Sequence, residues 1–315
     1  MSDTTSARAQ LPFLHRFWAY QAERFPLLRT VTLLIVFTAA SISVSAHLSQ
    51  RALPGLWTFV VAALVALIVF FQMRASDEVK DHDEDYRYRP ERPIPRGLVS
   101  LREVVTVALL LVPLAILLAV SLTPWLLALL GLVWLWLGLM TVEFFAPAWL
   151  KPRPFIYLVS HMLIMPIIDL FVTATEWLPH DRWAPNGLWL FLALSFFNGC
   201  VLEIGRKIWA PQNERDGVET YSQLLGPRRA AALWAGAAAA ALGWLIAVGV
   251  AVGALLPVAA IGTVAFLVVA VTALRFRANP TPEGQKRIDV LAGLWVLVCY
   301  AAAGFAPLLG LEAIT

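Results

Sequence analysis

Between Arg74 and Gly97 the chain reads RASDEVKDHDEDYRYRPERPIPRG, with six carboxylates in the nine positions from Asp77 to Asp85. Asp77, Asp81 and Asp85 recur every four residues, which stacks them along one face of a helix with about 40° of drift per step. Asp83 and Glu84 point elsewhere. Carboxylates in one column repel unless a cation lies between them. One or two hard oxygen ligands, with positions left open, are what Mg²⁺ uses when it also binds phosphates. Arg89, Arg92 and Arg96 follow around a proline-rich turn, and guanidinium groups hold phosphate oxygens. The helix is expected to persist through about Tyr86, because Pro90, Pro93 and Pro95 followed by Gly97 cannot continue it. Acids for a metal beside bases for phosphate make a diphosphate site; the bland alternative is a solvated acidic loop.

A second charged stretch, EIGRKIWAPQNERDGVETYSQLLG, runs from Glu203 to Gly226. Glu203 and Lys207 are four apart and share a helical face, with Arg206 beside them. Pro211 then breaks the helix, and Glu214, Asp216 and Gly217 follow. The recurrence points to two related four-helix units, each presenting one half of a site.

The elements that position these stretches are membrane spans. The chain has 315 residues, 60% of them hydrophobic and 14% charged, with a mean hydropathy of +0.73, a composition of polytopic membrane proteins. Apolar stretches fall at 31–48, 56–73, 104–122, 125–142, 154–175, 188–202, 230–250, 255–274 and 290–309, at or near the roughly 17 to 25 residues a spanning helix needs. The reading is an all-α bundle of nine transmembrane helices. The sixth is the shortest, and the third and fourth are close enough to form one hairpin. Of the 24 Lys and Arg residues, 22 lie in the N-terminal segment or after helices two, four, six and eight. Basic flanks stay cytoplasmic, so the N-terminus and both charged stretches are expected inside and the C-terminus outside. The formal charge of +3 is a by-product of this topology and points to no nucleic-acid partner.

Residues 1–28 read as a cytoplasmic or interfacial segment without a cleavable signal, in which FLHRFWAYQAERFPLLR forms an amphipathic helix. Residues 29–315 form a single transmembrane domain. Cys200 and Cys299 lie within apolar spans and give neither a disulfide framework nor a thiolate metal site.

Polar residues inside spans usually face the bundle interior. Tyr157 and His161 share a face near the cytoplasmic end of helix five, where His161 either serves the site or hydrogen-bonds a neighbouring helix. Asn198 lies little more than a turn before Glu203, within reach of a diphosphate or an acceptor. Asp169 sits two turns beyond His161, rotated by about 80°, and reads as an interhelical hydrogen-bonding group. Glu143 ends helix four and reads as a solvated cap.

DEVKDHDEDYRYRPERPIPRG resembles the first aspartate-rich motif of the UbiA-type intramembrane prenyltransferases, NxxxDxxxD followed by an RPxPxG turn. The resemblance covers essentially the whole chain. It implies a helical bundle around a central cavity open toward lipid, and Mg²⁺-dependent transfer of an isoprenyl group from an allylic diphosphate to an aromatic or other lipophilic acceptor. Carried over, Asp81 and Asp85 match the motif aspartates, Asp77 takes the place of the asparagine, and Arg92, Pro93, Pro95 and Gly97 match the turn. Asp83 is a rival for one ligand position, because the step from Asp85 to Arg92 is shorter than in several relatives. The second motif of the family has two aspartates four apart before a Gly-containing segment. Here GVETYSQLLG keeps the downstream pattern, and Glu203 and Glu214 are taken as the remaining metal ligands. The implied roles are catalysis for Asp81, Asp85, Lys207 and Tyr157, and substrate binding for Arg92, Arg96, Arg206, Asn198 and His161. Tyr157 and His161 resemble the polar positions of helix five in the family.

Two other readings share the same residues. A UbiA-like terpene synthase ionises the same diphosphate and cyclises it without an acceptor. A cation or lipid-phosphate transporter uses the acidic loops as a vestibule, although its site belongs near the bilayer midplane, whereas these charges gather at one face. The expected location is a bacterial inner (plasma) membrane, crossed many times.

Overall fold

The structure is a computed structural model that describes residues 12–309; Arg8 and the tail after Leu309, both used above for orientation, lie outside it. Helices and short turns make up all the secondary structure among the described residues. The first half holds α1 (Phe13–Arg24), α2 (Leu27–Leu48), α3 (Leu56–Lys80), α4 (His82–Tyr88), α5 (Leu101–Leu110), α6 (Val112–Val120) and α7 (Leu126–Thr141). The second holds α8 (Pro147–Leu150), α9 (Pro154–Met162), α10 (Ile164–Trp177), α11 (Leu188–Arg206), α12 (Tyr221–Leu225), α13 (Pro227–Ala251), α14 (Leu255–Ala278) and α15 (Pro282–Phe305).

Eight segments are long and apolar enough to cross a membrane: α2, α3, α5 with α6, α9 with α10, α11, α13, α14, and α15 with its final turn to Leu309. The remaining expected span, the fourth, is α7, which is apolar but only 16 residues long, about 24 Å at 1.5 Å per residue. It is the short span, not the sixth, which runs on to Arg206. Two spans are interrupted where a proline removes an internal hydrogen bond: at Leu111, before Pro113, and at Leu163, before Pro166.

The helices pack side by side in a closed circuit that runs α2, α3, α5 and α6, α7, α10, α11, α13, α14 and α15, and returns to α2. Closure depends on Gly304, where a Cβ would fall 2.5 Å from the Ala40 Cα, so only a glycine lets α15 lie this close to α2. Inside the circuit Asp169 accepts hydrogen bonds from Ser41 of α2 and Tyr300 of α15, the interhelical role expected of it.

The charged ends of the bundle gather on one side, where Lys80 at the end of α3 meets Tyr157 at the start of α9 and Gln285 in α15 binds Ala210 and Asn213 after α11. Local sequence starts the helices there: Ser100 and Glu103 form a capping box on α5, and Thr220 and Thr281 cap α12 and α15. The N-terminal helix α1 is docked on this side. Its Phe17 and Tyr20 pack with Phe71 and Val104, and Arg16 and Arg24 bind Glu103 at 2.8 Å and Glu78 at 2.7 Å. Leu14 and Trp18 remain exposed on its outer face.

Candidate active site

A cavity of about 720 Å³ opens at the charged end between the turn after α3, the start of α9 and the loop joining α11 to α12. Its cations are Lys80, Arg87, Arg89, Lys151 and Lys207, and its acids are Asp81, Glu84, Glu143 and Glu219. Tyr88, Tyr157 and Tyr221 also line it.

The helix carrying the first motif does not run unbroken to Tyr86. It stops at Lys80, Asp81 turns out of helical geometry (φ −90°, ψ 7°), and α4 begins at His82. The three aspartates therefore have three environments instead of one shared column. Asp77 is half-exposed and 3.5 Å from Arg74. Asp81 lines the cavity and enters no salt bridge among the described residues; burial pushes its carboxyl above the usual aspartate range, against the pull of Lys80. Asp85 is 2% exposed and clasped by Arg89 at 3.1 Å and by Arg92, one of whose nitrogens donates to both carboxylate oxygens at 2.7 and 2.6 Å. Asp85 and Arg92 thus tie α4 to the proline-rich turn and do not line the cavity. Asp83, the rival ligand, is exposed on α4. Arg96 is farther off, bound to Glu23 of α1 at 2.6 Å.

The loop after α11 also departs from its expected part. Glu203 accepts from Lys207 at 2.8 Å, and both carboxylate oxygens of Glu214 accept from the Thr220 hydroxyl at 2.9 Å. Arg206 points outward. Among the described residues no group of three or more Asp, Glu, His and Cys side chains is arranged to hold a metal, so the expected set of Asp77, Asp81, Asp85, Glu203 and Glu214 is not brought together. Lys207 does reach the cavity. Burial pulls its ammonium down, but Glu203 more than offsets this and holds its pKa above the ordinary lysine value.

Tyr157 is the hub. Its hydroxyl accepts from Lys80 Nζ at 2.7 Å and donates to Glu143 Oε1 at 3.2 Å, while Lys80 and Lys207 place their ammonium nitrogens 5.3 and 5.9 Å from its ring centroid. His161 stacks on its back at 3.8 Å and lies 3.5 Å from Glu143. The histidine is buried behind the tyrosine and does not line the cavity. Glu143 is no solvated cap: it is 5% exposed, turned inward because Glu143, Phe144 and Phe145 all take positive φ, between 50° and 57°. Three non-glycine residues in the left-handed region are costly, and such strain persists only where surrounding contacts enforce it. Asn198 lies deeper, accepting from the Trp295 indole at 3.0 Å between α11 and α15.

The two charged loops meet at Gly217. Its φ of +76° suits glycine, and a Cβ there would fall 2.5 Å from Cζ of Tyr88, so the α4 ring lies flat against the second loop. Arg215 lies 3.7 Å from Glu91 nearby. Sequence reasoning gave no role to Lys80, Arg87, Lys151, Glu219 or Tyr221, all of which line the cavity. Lys80 was findable, since it sits three residues after Asp77 and shares that helical face; the others are brought in by loops or by the short helices α4 and α12 and carry no periodic signal.

The sequence profile of the UbiA prenyltransferase family matches residues 33–296. The chain belongs to the UbiA prenyltransferase family. It is an integral membrane protein and a prenyltransferase. An apo UbiA homologue from Aeropyrum pernix K1 has the same fold, with a TM-score of 0.66 at 19% identity over 85% of this chain and 96% of that one. A digeranylgeranylglyceryl phosphate synthase gives 0.55 at 14% identity over 88% and 98%. A UbiA homologue from Archaeoglobus fulgidus bound to DMAPP and Mg²⁺ gives 0.53 at 13% identity over 88% and 97%. No curated protein sequence matches this chain significantly.

Proposed function

We propose that this prenyltransferase moves an isoprenyl group from an allylic prenyl diphosphate to an aromatic or other lipophilic acceptor, with Mg²⁺, at the cytoplasmic face of a bacterial plasma membrane. The observation that carries this reading is one cavity at the ends of spanning helices that combines Asp81, in no ion pair among the described residues, with five Lys and Arg side chains. The A. fulgidus homologue of the same fold binds DMAPP and Mg²⁺, which is in line with it.

The residues present fit one Mg²⁺. Asp81, which lines the cavity, would supply the one carboxylate that Mg²⁺ needs when phosphate oxygens complete its shell, and Asp77 would have to leave Arg74 to supply a second. When bound, the ion neutralises negative charge that builds on the departing diphosphate. The chain does the rest. Lys80, Lys151, Lys207, Arg87 and Arg89 hold the phosphates and favour the charge that develops as the allylic C–O bond breaks. Tyr157, fixed by Glu143 and stacked on His161, gathers Lys80 and Lys207 over its ring and so holds two of these cations at the phosphates. Burial pushes the Tyr221 phenol up, so it stays protonated and able to donate a hydrogen bond. The acceptor attacks the allylic carbon as the C–O bond to diphosphate breaks, and the acceptor's proton passes to water or to the released diphosphate.

Purified protein, Mg²⁺ and labelled allylic diphosphates of several lengths, with and without an acceptor extract, test the reading, with Asp81→Ala as control. A larger labelled lipid that needs the extract supports transfer. A labelled hydrocarbon or alcohol formed without it identifies a terpene synthase. Diphosphate that is never released, together with flux across vesicles, identifies a transporter.

A further inference from the structure

The cavity provides for one metal ion, yet a diphosphate has two phosphate groups to hold. On the side facing α11 the inward carboxylates are already engaged, Glu203 by Lys207 at 2.8 Å, Glu214 by Thr220 and Glu143 by Tyr157, while Glu219 is exposed at the rim. What converges there is positive charge. Lys80 comes from the end of α3 and Lys207 from the end of α11, and both lie over the ring of Tyr157. Two like charges gather on one residue only where something holds them. Glu203 holds Lys207, and the Tyr157 hydroxyl, passing its own proton toward Glu143, holds Lys80. Each ammonium keeps further N–H donors after these bonds, in a cavity where charge-assisted bonds to phosphate are strong.

Resting on the diphosphate reading above, we propose that Lys80 and Lys207, gathered on Tyr157, hold the second phosphate in place of a second divalent ion. The enzyme then binds its diphosphate with one metal per chain. Lys207 stands four residues after Glu203, so a single substitution, Lys207→Asp, puts two carboxylates one helical turn apart where the ion pair now stands. Glu143 acts as a positioning residue in this arrangement, because it sets the direction of the Tyr157 hydroxyl on which Lys80 rests.

The test counts metal in the purified full-length protein in lipid nanodiscs, using Mn²⁺ as the probe with inorganic diphosphate, by equilibrium dialysis and electron spin resonance. One Mn²⁺ per wild-type chain is expected in the presence of diphosphate, and two in Lys207→Asp. Lys80→Met and Lys207→Met are expected to weaken diphosphate binding by roughly ten- to hundredfold, the worth of a hydrogen bond to a charged group, with the count still one. Two Mn²⁺ per wild-type chain would overturn the proposal, and so would unchanged diphosphate affinity in both methionine variants. The wild-type count needs no variant to fold. If the wild-type protein binds no diphosphate with or without Mn²⁺, the diphosphate reading itself fails, an outcome distinct from a count of two.

Discussion

Gly217→Ala tests whether the two charged loops work as one wall. At φ +76° an alanine costs about 1–2 kcal/mol in backbone conformation. Its Cβ would also lie 2.5 to 2.8 Å from three atoms of the Tyr88 ring, which must swing out by about an ångström to reach ordinary contact. The half-exposed ring can move, at an added ~0.5–1.5 kcal/mol for a displaced rotamer, and in moving it opens the cavity wall. Gly226→Ala is the control for backbone strain without a clash: its φ is +80° with ψ 150°, a region essentially confined to glycine, but nothing lies within 4 Å of the new Cβ. Both variants should lower the thermal midpoint in detergent. Only Gly217→Ala should also raise KM for an allylic diphosphate, by roughly two- to tenfold at 1.4 kcal/mol per decade. Equal KM values in the two variants would refute the idea that Tyr88 on Gly217 shapes the site.

Other substitutions separate holding the structure from doing chemistry. Asp85→Asn should leave Arg89 and Arg92 without their shared carboxylate and cost about 3 kcal/mol or more, as breaking a buried ion pair does; trypsin should then cut after Arg87, since Arg89 and Arg92 are each followed by proline. Lost Mn²⁺ binding with the loop still resistant would instead make Asp85 a metal ligand. Asp169→Ala removes the bonds from Ser41 and Tyr300, worth about 1–3 kcal/mol together at the 0.6 to 1.7 typical between membrane helices, and should lower resistance to SDS unfolding while the folded fraction keeps its turnover. Full inactivity of a stable Asp169→Ala protein would count against that role. Wild-type Lys207, raised by Glu203, keeps its charge and its share of stability at all pH below the ordinary lysine value, losing both only above it. In Glu203→Gln burial loses its main opposition, so diphosphate affinity should start to fall at a lower pH than in the wild type; identical profiles between pH 7 and 10 would contradict the pairing.

The sequence by itself determined the membrane-spanning bundle, because in a bilayer the helix must satisfy every backbone group and roughly twenty apolar residues announce each crossing. It also located both charged stretches and the family, since the RPxPxG turn and the repeated aspartates are local patterns that need no partner to be read. It could not separate Asp81 from Asp85: helical spacing made them equivalent, and only the break at Asp81 and the two arginines that reach Asp85 made one a cavity wall and the other a clasp. Glu143 read as a cap because nothing in its neighbours announces a left-handed turn, which the contacts around it impose. Lys80 and Lys207 stand 127 positions apart in the chain and meet over Tyr157 only because α3, α9 and α11 end side by side. Ion pairing and convergence of this kind depend on distances between elements, and no periodicity along one chain segment encodes them.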